Sequence, residues 1–148
     1  MTASSTLRPI ISYLKLPADG EPYLEGWRCA SCGEIYLEPR STCGHCLARN
    51  QISSVRLGKT GKIYNWTIVH RNFPGVAVPF VSVIVDLDGG GTVKGNLIGI
   101  EPVPESIRFD MPVKTLFQPI EKTDSAGSVY IGYFFAPADP TQLQGAQK

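Results

Sequence analysis

The chain has 148 residues and a mass of 16.1 kDa, the size of one ordinary domain or of a small module joined to another. Its 14 Lys and Arg against 13 Asp and Glu leave a net charge of +1, which argues against nucleic acid as the main partner and against a polybasic membrane anchor, since both rest on concentrated basic surface. A hydrophobic content of 43% excludes general disorder, while a charged content of only 18%, against roughly 25% in an average soluble domain, suits a surface partly covered by another protein.

Residues 1–26 hold little periodic pattern, because Pro9, Pro17, Gly20 and Pro22 interrupt it. They are expected to form an extended N-terminal arm with at most one helical turn. The opening MTASSTLRPIISYLK lacks a basic start followed by an apolar stretch and a small-residue cleavage site, so no secretory leader is expected. The longest uncharged runs, residues 72–85 and 125–138, have 14 residues each and contain proline. A spanning helix needs about 20 apolar residues. The expected location is the cytoplasm, with no membrane contact.

In that compartment disulfides are disfavoured, which sharpens the reading of residues 27–50. All four cysteines, Cys29, Cys32, Cys43 and Cys46, fall there as C-x2-C, ten residues, C-x2-C. Two pairs of thiolates joined by a hairpin suit a closed tetrahedral site, so a structural Zn²⁺ is expected. Iron in a rubredoxin-like site remains an alternative, since the ligand set alone does not choose between the two. Two local disulfides or a redox-active pair are the lesser readings, and a redox pair would normally open a helix after a strand. Gly33 suits the tight turn after the first pair. His45, between the last two cysteines, is a poor extra ligand and reads as an exposed knuckle residue. Short strands are expected over residues 27–29 and 35–38.

Residues 51–138 read as successive strands. Residues 63–70 would place Tyr64, Trp66, Ile68 and His70 on one face, and residues 80–87 place Val81, Val83, Val85 and Leu87 together at a period of two. Asp88-Gly89-Gly90-Gly91 is a hairpin turn, and residues 92–98 return. One helical turn is expected within residues 104–109, then strands over 113–120 and 129–136. Residues 139–148 form a polar tail, expected to be flexible. Five or six strands in about 85 residues suggest a small antiparallel barrel, of OB type or, second, of SH3 type. The fold class is therefore mainly β: an N-terminal rubredoxin-like zinc ribbon followed by a five-stranded OB-fold barrel.

Catalysis by this chain alone is not expected. All four cysteines go to metal, which leaves no thiol nucleophile, and only His45 and His70 offer an imidazole. No G-x-S-x-G elbow occurs, and Gly58-Lys59-Thr60-Gly61-Lys62 lacks the phosphate-loop spacing. Asp86 and Asp88 before three glycines read as turn residues, because the later ligands of a calcium loop are missing. One cluster stands out: Trp66, His70, Arg71, Phe73 and Phe80. Trp66 and Phe80 suit barrel core, with His70 satisfying a nearby backbone group. The alternative is that the loop Arg71-Asn72-Phe73-Pro74-Gly75 meets a partner enzyme or acyl-CoA. Phosphates of CoA would need cations, for which Arg71, Lys94, Lys59 and Lys62 are the candidates.

The segments CASCGEIYLEPRSTCGHC, GKIYNWTIVHRNFPG, PFVSVIVDLDGG, NLIGIEP and FDMPVKTLFQPI occur in that order. Over residues 22–137 the chain resembles the acyl-CoA-associated family that joins a rubredoxin-like zinc ribbon to an OB-fold. Two features depart from the family pattern: PYLEGWRC follows a proline-broken arm instead of an amphipathic helix, and Leu47 stands where a glycine commonly follows the last cysteine. The resemblance implies a non-catalytic subunit of an acyl-CoA thiolase-type complex. In such complexes a thiolase-superfamily chain holds the catalytic cysteine and histidine, and the ribbon–OB chain scaffolds it and helps shape the acyl-CoA site. The short arm and PYLEGWRC are similar to the small zinc subunits of 2-benzoylsuccinyl-CoA thiolases, which act in anaerobic toluene breakdown. Two other functions stay open on the residues: a nucleic-acid-binding OB module stacking bases on Tyr64 and Trp66, and a rubredoxin-like electron carrier.

Overall fold

A computed structural model describes residues 6–123 and 125–138. Ten strands and one 3-10 turn, Pro104–Ser106, make up the regular structure, and the described residues contain no α-helix. The chain forms two compact units, one of Met1–Leu57 with Phe117–Tyr133 and one of Gly58–Leu116 with Phe134–Lys148.

In the first unit, β1 (Leu7–Pro9), β2 (Leu14–Lys15), β3 (Tyr23–Cys29), β4 (Ile35–Tyr36) and β5 (Ile52–Arg56) follow in order. β3 is the central element: it pairs antiparallel with β2 through Leu14 and Leu24, with β4 through Trp27 and Tyr36, and with β5 through five residue pairs from Glu25–Arg56 to Cys29–Ile52. Gly26 lets these strands close over one core, since a Cβ there would stand 2.5 Å from Leu57 Cδ2 and 2.9 Å from Ile35 Cγ2. Leu14, Leu24 and Leu57 fill that core at 6% exposure or less. The N-terminal arm, expected to be extended with at most one helical turn, holds two short strands. β1 pairs parallel with the start of the last strand, Leu7 with Val129 and Pro9 with Ile131, and Tyr13 and Tyr133 share a hydrogen bond between their hydroxyls. These partners lie more than a hundred residues away, beyond the reach of any local pattern.

In the second unit, β6 (Thr60–Val69), β7 (Phe80–Leu87) and β8 (Thr92–Leu97) form an antiparallel meander. β9 (Pro112–Thr123) and β10 (Val129–Pro137) run through both units; in this one β9 pairs antiparallel with β6 over Pro112–Lys114, and β10 runs parallel to β8 with Phe135 opposite Leu97. A further β9–β10 pairing closes the ring β6-β7-β8-β10-β9, a five-stranded OB-type barrel. The period-two expectation for β7 holds: Val81, Val83, Val85 and Leu87 are buried beside Ile63, Val93, Val113 and Phe135.

β6 departs from its expected alternation. A bulge between Ile63 and Asn65 leaves Tyr64 without a partner and 63% exposed. The extra residue reverses the parity of everything after it: Gly61 and Ile63 point inward before the bulge, Trp66 and Ile68 after it. His70 lies just past the strand end and is exposed.

The β7–β8 turn places Gly89, Gly90 and Gly91 all at positive φ. Asp86 accepts from the Thr92 hydroxyl at 2.8 Å, and Asp88 accepts from the Thr60 hydroxyl at 2.6 Å. Both carboxylates are thus tied into the turn. The polar tail expected over residues 139–148 lies outside the described residues.

Candidate metal centre and barrel groove

The ribbon presents its thiols from two matching knuckles. Cys29 ends β3 and Cys32 follows in the first turn; Cys43 and Cys46 occupy the second. In each, the residue after the second cysteine takes positive φ, Gly33 at 84° and Leu47 at 64°. Each of these residues donates its N–H to the carbonyl of the first cysteine, at 2.8 Å to Cys29 and 3.0 Å to Cys43. A bridge between Thr42 and Arg49 closes the base of the second knuckle.

This geometry brings the four sulfurs within 4.8 Å of one another. Cys29 and Cys46 are 3.7 Å apart, and Cys32 and Cys43 are 3.6 Å apart. Four sulfurs at the corners of a tetrahedron with metal–sulfur bonds of about 2.3 Å would be separated by about 3.8 Å. The residues therefore fit a closed four-thiolate site. Cys29 and Cys43 are buried, whereas Cys32 and Cys46 reach the surface.

The surroundings treat the thiols unequally. The Tyr36 hydroxyl donates to Cys43 Sγ at 3.3 Å and accepts the Gly44 N–H at 2.9 Å, and the His45 N–H points at the same sulfur at 3.4 Å. The Tyr36 hydrogen bond, then the backbone N–H of Cys46, lower the Cys43 thiol to about 6 against burial. For Cys32 a hydrogen bond from the backbone of Glu34 lowers the pKa, but burial and the neighbouring sulfurs outweigh it and push the thiol up to about 12. Metal ligation takes cysteine as thiolate, and a bound cation would supply the charge that favours that form. Arg40 lies over the Tyr36 ring, 4.2 Å from its centroid, and so helps hold the residue that contacts the sulfur. His45 is exposed.

A second feature lies on the outer face of the barrel strands. Thr67 and Val69 of β6, Phe80 and Ser82 of β7, and Lys94 and Asn96 of β8 line a groove of about 480 Å³, walled on one side by Asn72, Val76 and Ala77. Its loop carries Phe73, 82% exposed, with Val76 and Val78 also open to solvent. Of the residues expected at a contact site, Phe80 and Lys94 meet in this groove, Phe73 stands on its loop, and His70 and Arg71 are exposed where β6 ends. Phe80 pairs with Val69 on the outer face, so it is a surface residue of the groove and not barrel core. Trp66 lies opposite Val83 with the inward set, half-buried, its indole N–H buried without a partner.

Family models now bear on both features. One described as the ChsH2 rubredoxin-like zinc ribbon domain matches residues 18–50, and one described as the ChsH2 C-terminal OB-fold domain matches residues 54–118. A DUF35 domain-containing scaffold protein of Methanocaldococcus jannaschii is 29% identical over 78% of this chain and 82% of its own length. The benzoylsuccinyl-CoA thiolase subunit BbsA of Geobacter metallireducens is 31% identical over 72% of this chain and 70% of its own length. The chain belongs to the ChsH2 family of zinc-ribbon and OB-fold proteins. A solved structure described as the Ltp2–ChsH2(DUF35) aldolase matches with a TM-score of 0.60 at 28% identity, covering 79% of this chain and 86% of that one.

Within this ChsH2-family chain the cysteine spacing located the ribbon centre in full. The groove residues Thr67, Val69, Ser82 and Asn96 were missed, because the face of β6 was assigned without the bulge. A signal was present in β7: its alternation puts Phe80, Ser82 and Ile84 opposite the buried valines, so two large apolar residues had to lie on the outer face.

Proposed function

We propose that this chain is a non-catalytic subunit of an acyl-CoA-processing complex, in which a thiolase-superfamily chain performs the chemistry. The observation that carries the reading is its match to most of the length of a relative named as a benzoylsuccinyl-CoA thiolase subunit, in a chain whose cysteines all converge on one closed centre. A four-thiolate site has no open position for substrate, so its metal, read as Zn²⁺, serves to crosslink the ribbon. The groove and its Phe73 loop supply contacts to the catalytic chain, with Phe80, Lys94, His70 and Arg71 around it and acyl-CoA held at the shared site.

The finer reading is that of a 2-benzoylsuccinyl-CoA thiolase in anaerobic aromatic degradation, a cytoplasmic setting. Among the described residues no helix is long and apolar enough to cross a membrane, and the near-neutral charge gives little drive toward nucleic acid. Mixing the metal-loaded chain with a thiolase-type chain from the same genome should give a single larger species in light scattering. Two species that remain separate at tens of micromolar with every such thiolase would overturn the reading. Metal analysis should give about one zinc per chain; iron with a reversible bleach on reduction would replace zinc and point to electron transfer.

A further inference from the structure

The four converging thiols of the ribbon differ in access and in what already holds them. In each knuckle the first cysteine is buried and the second is open to solvent: Cys29 and Cys43 are covered, whereas Cys32 and Cys46 are exposed. The closest sulfurs belong to opposite knuckles, so each open cysteine has a buried one beside it. Cys46 lies 3.7 Å from Cys29, and Cys32 lies 3.6 Å from Cys43. The two buried sulfurs are also unlike each other. Cys43 Sγ accepts the Tyr36 hydroxyl at 3.3 Å and the His45 N–H at 3.4 Å. Tyr36 is in turn fixed by the Gly44 N–H at 2.9 Å and by Arg40 over its ring. Cys29 has no such tyrosine, or any other hydroxyl donor, among the described residues.

With a metal bound, all four ligands are thiolates. Ionisation then does not rank them; access and the demands on each sulfur lone pair do. An open sulfur is the one that an oxidant reaches first. A sulfur that already accepts two hydrogen bonds has less electron density to give in a displacement. The first criterion selects Cys32 and Cys46, and the second separates their neighbours, with Cys29 the freer and Cys43 the more restrained.

We propose that the ribbon is a site of oxidation by hydrogen peroxide, entered at Cys46 and closed as a Cys29–Cys46 disulfide. The Cys46 thiolate attacks one peroxide oxygen: the S–O bond forms, the O–O bond breaks and hydroxide leaves. Cys29 then attacks the Cys46 sulfur, and the S–S bond forms as the second hydroxide departs. Two thiolates are oxidised and one peroxide is reduced to two hydroxides. The centre loses one ligand from each knuckle and releases its metal. Cys32 is equally open, but the sulfur beside it is Cys43, which Tyr36 holds back from the second displacement. The proposal rests on the four-thiolate centre and is independent of the thiolase partner.

The test treats the full zinc-loaded chain with hydrogen peroxide, blocks the remaining thiols with N-ethylmaleimide and maps the unreduced peptides by mass spectrometry. Metal release is followed in parallel with a chromogenic chelator. The Cys29–Cys46 bridge should exceed every other pairing by about fivefold or more early in the reaction, and metal should leave in step with it. Tyr36→Phe, saturated with zinc beforehand, should raise the Cys32–Cys43 bridge by about fivefold or more, because its restraint on Cys43 is gone. A first product bridging Cys32 to Cys43, or bridging either C-x2-C pair internally, would overturn the proposal. So would an unchanged pattern of bridges in Tyr36→Phe, or metal retained after two thiols are lost. Should Tyr36→Phe fail to take up zinc, the pairing in the unmodified sequence decides alone. None of these outcomes touches complex formation with a thiolase chain, so the subunit reading stands or falls separately.

Discussion

Leu47 occupies a backbone position that its partner in the other knuckle fills with Gly33. A left-handed conformation costs an ordinary residue roughly 1–2 kcal/mol, while glycine costs somewhat under 1 kcal/mol in unfolded-chain entropy. With its side chain in solvent, Leu47 loses little packing when shortened. Leu47→Gly should therefore raise the stability of the metal-loaded ribbon by up to about 1 kcal/mol, read as a melting temperature higher by a few degrees. A lower melting temperature would mean that the leucine packs inside the ribbon. Tyr36 is the complementary case, because its hydroxyl supports the sulfur of Cys43. Tyr36→Phe keeps the ring under Arg40 and removes that support, so metal affinity should fall about 10- to 100-fold in chelator competition. Cys29→Ser goes further: it removes a ligand, and the ribbon should release its metal and lose the β3–β4 and β3–β5 pairing in circular dichroism and amide exchange. Retention of a full metal equivalent would contradict the four-ligand centre.

At the scale of elements, legibility followed the range of the interactions. The C-x2-C pairs and the valine alternation of β7 are local signals, and both were read correctly. The bulge at Tyr64 left no signal, since Asn65, Trp66 and Thr67 continue an ordinary strand composition, and the parity error in β6 followed from it. The strands β1 and β2 were illegible for another reason: their partners are Val129–Ile131 and Tyr23–Leu24, and short proline-flanked pieces become strands only when those partners arrive. Gly26 belongs to this class as well. It reads as an interruption in β3, yet its missing side chain is what admits Leu57 and Ile35. Gly26→Ala should destabilise the first unit by about 1–3 kcal/mol through overpacking, seen as a lower midpoint in urea. The groove loop offers the opposite expectation. Phe73 is already exposed, so Phe73→Ala should leave the melting temperature of the isolated chain unchanged. If Phe73 anchors the catalytic partner, losing a burial worth roughly 1.5–3 kcal/mol should weaken the complex by about tenfold or more. Equal affinity would move the contact elsewhere, to the arm or the ribbon.

For the whole molecule, the weak charge and the open apolar loop describe a protein made to be covered. Residues 72–85 hold no charged side chain, and Phe73, Val76 and Val78 within them are open to water. Such surface is costly alone and favourable once buried. The closed thiol centre takes all four cysteines of the sequence, and in the proposed complex the chemistry falls to the partner chain. The central claim is that this protein completes an acyl-CoA enzyme that it does not itself catalyse. The most direct measurement is CoA-dependent cleavage of 2-benzoylsuccinyl-CoA by the thiolase-type chain, the zinc-loaded protein, and the two combined. The account predicts no turnover with this protein alone, little with the thiolase chain alone, and a rise of at least tenfold at stoichiometric mixing. Full activity of the thiolase chain by itself, unchanged by addition of this protein, would contradict it.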